Sequence, residues 1–176
     1  MSLVALLLVH LLLQSSISCS ASASVSKIET RLIQETCKHT DYYNLCVASL
    51  ESDPRSLNAD VKELAIILVE LLQAKANETL RHVGDLFKKV SDPALYRFYG
   101  TCIEEYRAIV ERQIPEAIDA LQSGDYMVSK RDAEAAAAHA DSCEEQFAGE
   151  TQPFSDQNKA VHDLSLVTSS ILGILG

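Results

Sequence analysis

The sequence predicts an all-α fold in which two short helices precede four long ones that pack as a bundle. Two observations point there first. Trp is absent, Gly and Pro number only 6 and 4, and Ala and Leu abound, a balance that favours helices. Apolar residues also recur every three or four positions over four long stretches. A third observation fixes one pairing. Tyr99 to Phe147 reads as two helices separated by Ser123-Gly124-Asp125, with Cys102 and Cys143 near the outer ends. In an antiparallel hairpin turning at Gly124, each cysteine lies about 20 residues, or about 30 Å, from the turn. The sulfurs therefore meet, and a disulfide there closes about 42 residues and contributes about 4 kcal/mol on the chain-entropy estimate.

Such a bridge requires an oxidising compartment, and the N-terminus supplies the route. Residues 3–13 are an apolar run of signal-peptide length, followed by small polar residues and Ala21-Ser22-Ala23, an A-x-A cleavage pattern. Residues 1–23 thus read as a signal peptide without a basic start, too short to span a bilayer of about 30 Å. Residues 24–176 form one domain, with 24–52 as an N-terminal arm and 57–176 as the bundle. Cleavage removes Cys19 and leaves Cys37, Cys46, Cys102 and Cys143. Four cysteines admit three pairings; Cys37–Cys46 with Cys102–Cys143 contorts the chain least. No C-x₂₋₄-C pair exists, so a zinc site is not expected.

Within the arm, Val25, Ile28, Leu32 and Ile33 mark a short helix from Val25 to Thr36, and a second runs from Tyr42 to Leu50. A Cys37–Cys46 bridge staples this bent arm and contributes about 2.5 kcal/mol. Ser52-Asp53-Pro54 stops the arm, because Pro54 disfavours helix at Asp53 and suits a first helical position. Asn58 or Asp60 caps the first long helix, whose stripe of Leu64, Leu68, Leu71, Leu72, Leu80, Val83 and Leu86 or Phe87 runs to about Val90. Ser91-Asp92-Pro93 repeats the stop. The second long helix carries Leu95, Phe98, Cys102, Tyr106, Ile109, Val110, Ala117 and Leu121, with a kink expected at Pro115. After Gly124, an Ala-rich face of Ala133, Ala136, Ala137 and Ala140 permits close helix approach. Asp156 is expected to cap the last helix, where Ala160, Val161, Leu164, Val167, Ile171 and Leu175 fill the fourth side.

Charge and chemistry narrow the function. A net charge of −10 makes nucleic acid a poor partner, and no membrane association is expected once the signal is cleaved. Nucleophile elbows, H-E-x-x-H and phosphate-binding glycine loops are absent, so no catalytic residue, metal or cofactor is expected. Glu104-Glu105 and Glu144-Glu145 diverge by about 100° per residue and read as solvated faces. His162, Asp163 and Ser165 read as surface residues rather than a relay. Asn77-Glu78-Thr79 is a glycosylation sequon, usable where Asn77 faces solvent. Tyr126, Met127 and Val128 sit at the hairpin tip, either capping the core or forming an exposed partner-binding point with Gly124 and Asp125.

Several stretches are specific in combination: the C-x₈-C arm, Ser49-Leu50-Glu51-Ser52-Asp53-Pro54-Arg55-Ser56, Ala59-Asp60, Cys102-Ile103-Glu104-Glu105-Tyr106 and Cys143-Glu144-Glu145-Gln146-Phe147. With them the chain resembles the plant invertase inhibitor and pectin methylesterase inhibitor family. The resemblance implies an N-terminal α-hairpin on an up-and-down four-helix bundle, disulfides Cys37–Cys46 and Cys102–Cys143, and no enzyme activity. It also implies secretion to the cell wall or vacuole and inhibition of a carbohydrate-active enzyme by covering its active site. Pro153-Phe154-Ser155, Asn158, Val161-His162-Asp163-Leu164-Ser165 and Val167 look more like the branch directed at acid invertase (β-fructofuranosidase). A pectin methylesterase is the other target, and a non-inhibitory secreted bundle like the pollen allergens of the family is the third reading. Invertase inhibitors of the family insert a Pro-Lys-Phe tripeptide into the sucrose-binding cleft; counted back from Cys143, its place here holds Tyr126-Met127-Val128.

Overall fold

The computed structural model describes residues 31–176; the signal peptide, Val25 and Ile28 lie outside the described residues. The arm comprises α1 (31–37) and α2 (Tyr43–Glu51), joined by a tight turn. Cys37 and Cys46 are bridged and fully buried, and with Ile33 and Leu50 they form the arm's contribution to the core. Tyr42 precedes α2 as its cap residue without a side-chain bond, so the second arm helix starts one residue later than its apolar pattern. The arm packs through α2 on α3 (Val61–Phe87) and α7 (Ser155–Leu175).

Both Ser-Asp-Pro stops work the same way. The Asp53 carboxylate accepts from the Arg55 N–H at 2.9 Å, and Pro54 opens a 3₁₀ turn over Pro54–Asn58. The Asp92 carboxylate accepts from the Ala94 and Leu95 amides, and Pro93 opens α4 (Pro93–Ala108). In each case the aspartate satisfies amides that have no carbonyl partner in the first turn, and Pro lacks the amide that would otherwise be orphaned. Asp60 caps α3 in a reciprocal box: the Glu63 N–H donates to Asp60 Oδ1 and the Asp60 N–H to Glu63 Oε2, both at 2.8 Å.

The helix bearing Pro115 stays continuous. Between α4 and α5 (Ile114–Ser123) the backbone widens into a π segment over Ile109–Gln113. Pro115 lacks an N–H and its ring crowds the carbonyl four residues back; a wider turn just before it absorbs that conflict. Gly124 then turns the chain into α6 (Tyr126–Glu145). The four rods are α3, α4 through α5, α6 and α7, with α3 neighbouring α4 and α7, and α6 neighbouring α5 and α7. Short connections make each antiparallel to the next. No strand occurs among the described residues.

Two ends of the bundle differ. At the end away from Gly124, the Cys102–Cys143 bridge is fully buried beside an aromatic cluster. Phe147 there lies 5.4 Å from both Phe98 and Tyr99 and stands edge-on to Phe154 at 5.7 Å. The buried alanines of α6, Ala133, Ala136, Ala137 and Ala140, let it approach its neighbours closely. Helix α7 departs from the expected start: its cap residue is Phe154 with no side-chain bond, and Asp156 falls inside the first turn. The large buried Phe154 ring is held in the aromatic cluster, so packing sets this boundary in place of a cap, and Asp156 favours the helix only through the macrodipole.

Candidate functional site

The Gly124 tip is built as a rigid corner. Gly124 takes the left-handed conformation at φ 83°, closing α5 with Asp125 N–H donating to Ala120 O at 2.8 Å and Gly124 N–H to Leu121 O, a Schellman ending that suits a residue without Cβ. Asp125 caps α6 by accepting from the Val128 N–H at 3.1 Å. The Ser129 hydroxyl donates to Ala117 O at 2.9 Å, tying the first turn of α6 to α5. The three large tip residues then divide. Tyr126 is half-buried against the core, with Lys62 Nζ 5.9 Å from its ring centroid and Gly176 beside it. Val128 is half-buried. Met127, one step of about 100° further round the helix, is 62% exposed. The tip thus caps the core with Tyr126 and presents Met127 outward.

On the adjacent face, Arg55 donates to Asp53 and to Glu70 of α3, each at 2.6 Å. The paired guanidinium holds the Asp53 carboxyl below the usual range. Arg55 thereby joins the arm-to-bundle connection to α3.

Two expectations about charged residues need correction. Glu104 is exposed, but Glu105 faces α6, where its Oε2 lies 2.6 Å from His139 Nδ1. Glu144 and Glu145 are both exposed, as expected, although Glu144 also accepts from Asn158 Nδ2 at 3.0 Å and from the Ser155 hydroxyl. Adjacent acids do diverge, and that divergence is what sends Glu105 into the interhelical seam while Glu104 points to water. Nor do His162, Asp163 and Ser165 lie on the surface. Asp163 and Ser165 are buried and His162 is half-buried, because α7 has α3, α6 and the arm around it. The Ser165 hydroxyl donates to Val161 O in its own helix, so it has no relay geometry with His162. Burial pushes the Asp163 carboxyl up, but hydrogen bonds from Lys159 and His162 outweigh it and hold the carboxyl below its ordinary range.

A buried polar centre lies within the apolar stripes. The Tyr106 hydroxyl, on a fully buried side chain, donates to Asn158 Oδ1 at 2.8 Å, and Asn158 Nδ2 donates to Ala140 O at 3.0 Å as well as to Glu144. One asparagine therefore links α4, α6 and α7. Burial pushes the Tyr106 hydroxyl well above the tyrosine range. Asn158 stands three residues before Val161, on the same helix face, and its polarity there adds to its place among the residues that carry the family resemblance. Asn77 is exposed in mid-α3, its amide donating to Gln73 O, while Thr79 is buried. Among the described residues no cluster of His, Cys, Asp or Glu could hold a metal, and no helix is long and apolar enough to cross a membrane.

Comparison with known proteins places this geometry. Residues 31–173 match the family model "Plant invertase/pectin methylesterase inhibitor". The chain is 35% identical over 143 residues to the cell wall / vacuolar inhibitor of fructosidase 1 of Arabidopsis thaliana, covering 81% of this chain and 68% of that one. It is 37% identical over 123 residues to the pectinesterase inhibitor of Actinidia deliciosa, covering 70% of this chain and 66% of the relative. It thus spans about two thirds of the length of each. In fold it is similar to the crystal structure of mutant form A of a pectin methylesterase inhibitor from Arabidopsis, with a TM-score of 0.70 and 23% identity over 80% of this chain and 94% of that one. The helical bundle is the architecture shared here, and the chain belongs to the plant invertase/pectin methylesterase inhibitor family.

Proposed function

We propose that this chain is a secreted proteinaceous inhibitor of a plant acid invertase, working in the cell wall or vacuole, that blocks the active site with its rigid α5–α6 tip. The observation that carries the reading is Met127: a large apolar side chain, 62% exposed, on a corner fixed by the Gly124 ending, the Asp125 cap and the Ser129 bond to α5. A preordered corner loses little conformational entropy on entering a cleft. The inhibitor of fructosidase 1, similar over most of this chain, supports the same target class. The bundle contributes sterics and shape, and no step of chemistry.

A second reading, inhibition of a pectin methylesterase, is favoured by two observations. Tyr126-Met127-Val128 stands where the Pro-Lys-Phe wedge belongs, and the Actinidia relative bears that activity in its name. In that case helix faces of the bundle meet the enzyme, and Met127 is dispensable.

The experiment is titration of the oxidised protein into sucrose hydrolysis by acid invertases and into demethylation of pectin by pectin methylesterases, with Met127→Ala alongside. Invertase loss that Met127→Ala weakens by about tenfold, as expected for an anchor residue, supports the first reading. Esterase loss unaffected by the substitution supports the second. No effect on either enzyme at molar excess leaves the non-inhibitory bundle.

A further inference from the structure

Helix α6 is flanked by two histidines whose surroundings fix how many protons they carry. His139, on α6, faces α4 and the π segment. Its Nδ1 lies 2.6 Å from Glu105 Oε2, and its Nε2 lies 3.3 Å from the end of the Gln113 amide. Arg112 decides which amide atom that is. Its Nη2 and Nε stand 3.0 and 3.3 Å from the same Gln113 atom, and a guanidinium can only donate, so that atom is the oxygen. His139 Nε2 therefore meets an acceptor and must carry a hydrogen. Nδ1 meets a carboxylate and must carry one too. Only the imidazolium satisfies both.

His162, on α7, also faces two carboxylates, one the next residue of its own helix and one, the 62% exposed Asp141, across the seam at ion-pair distance. Its Nδ1 lies 2.9 Å from Asp163 Oδ1 and its Nε2 lies 3.4 Å from Asp141 Oδ1 of α6. Both neighbours are carboxylates. The His139 and Glu105 side chains are only 22% and 25% exposed, so water competes least at that pair.

We infer that α6, the helix that begins at the Met127 tip, is clamped to α4 by His139 and to α7 by His162, each clamp complete only when its ring is doubly protonated. The bundle is thus locked by protons in a mildly acidic medium. This follows from the described geometry and does not depend on which enzyme is the target.

Carboxylates on both sides of α6 favour the doubly protonated rings, while one cation, Arg112 on the shared Gln113 oxygen, opposes it at His139. Around His139 they are Glu105 from α4 and Arg112 from the π segment; Ala135, Ala136, Ser142 and Cys143, its neighbours along α6, do not titrate. Around His162 they are Asp141 from α6 and Asp163 from α7. Lys159 holds Asp163 at 2.5 Å, and Tyr42 of the arm acts on Lys159. Moving the shared proton from His139 onto Glu105 leaves the number of bound protons, and hence the pH dependence, unchanged. Stability gained through protonation rises as pH falls through the histidine range near about 6.5 and fades once the carboxylates protonate near about pH 4. The Asp163 carboxyl, held low, keeps its side of the clamp into more acidic solution.

Thermal unfolding of the oxidised full chain from pH 4.5 to 8 tests this, with a His139→Gln/His162→Gln variant and with long-range ¹H–¹⁵N NMR of the histidine rings in the parent. Tm of the parent should rise by about 5 °C between pH 7.5 and 5.5, and the variant should lose more than half of that rise. In the acidic half of the range, both ring nitrogens of His139 and His162 should carry hydrogens. Equal rises in parent and variant overturn the inference. So do neutral single tautomers for His139 and His162 at pH 5.5, a result that needs no variant to fold.

Discussion

Replacing Tyr106 by Phe removes one atom from the middle of the bundle and leaves the ring packing unchanged. Tyr106 is fully buried, and its hydroxyl donates to Asn158 Oδ1 at 2.8 Å. Without it, that oxygen is left in a buried residue without its donor. Loss of the bond plus the orphaned acceptor costs about 1 to 3 kcal/mol, a Tm decrease of about 2 to 4 °C per kcal/mol for a domain of this size. Urea unfolding at neutral pH measures it, with an unchanged m-value as the sign that only the native state was altered. The same pair makes a double-mutant cycle. Tyr106→Phe with Asn158→Ala should cost about 1 kcal/mol less than the two single changes added together. A single-mutant cost under about 0.5 kcal/mol, or strict additivity, would refute the role given to this centre. Alkaline titration gives an independent check. The folded phenol is pushed above the ordinary tyrosine range, so this group favours folding below about pH 10 and the benefit is lost as pH rises. Its ionisation should appear only as the protein unfolds.

Removing the bridges should rank them by loop length: about 4 kcal/mol for Cys102→Ala/Cys143→Ala and about 2.5 kcal/mol for Cys37→Ala/Cys46→Ala, read as midpoints in guanidinium; a reversed order would contradict the loop-entropy account. Two glycines offer steric room and should give opposite signs. A Cβ at Gly124 or at Gly84 meets nothing within 4 Å, yet Gly124→Ala should cost about 1 kcal/mol because φ is 83°, whereas Gly84→Ala inside α3 should stabilise by about 0.5 to 1 kcal/mol. Thermal melting of the two variants decides it, and destabilisation by both would show that the helix around Gly84 resists a methyl group.

The local rules were legible because they act within a few residues. The two Asp-Pro starts, the Asp60–Glu63 box and the Gly124 ending are all written in consecutive letters, and the conflict at Pro115 was visible even though its resolution as a π segment was not. Packing overrode the cap expected at Asp156, since a buried aromatic ring before α7 fixes that boundary more strongly than one amide bond.

The sequence by itself pointed to the long helices, their stripes and the Cys102–Cys143 pairing, because the helical period and the rise per residue convert spacing directly into position. Only the tertiary structure decided which polar residues turn inward. Tyr106 and Asn158 are 52 residues apart, Glu105 and His139 are 34 apart, and whether they meet depends on the rotation and depth at which whole helices pack. A burial pattern on one helix carries no record of the side chains that its neighbour presents. The same reason divides the tip: Tyr126, Met127 and Val128 are equally apolar as letters, and the corner at Gly124 alone sends Met127 to the solvent.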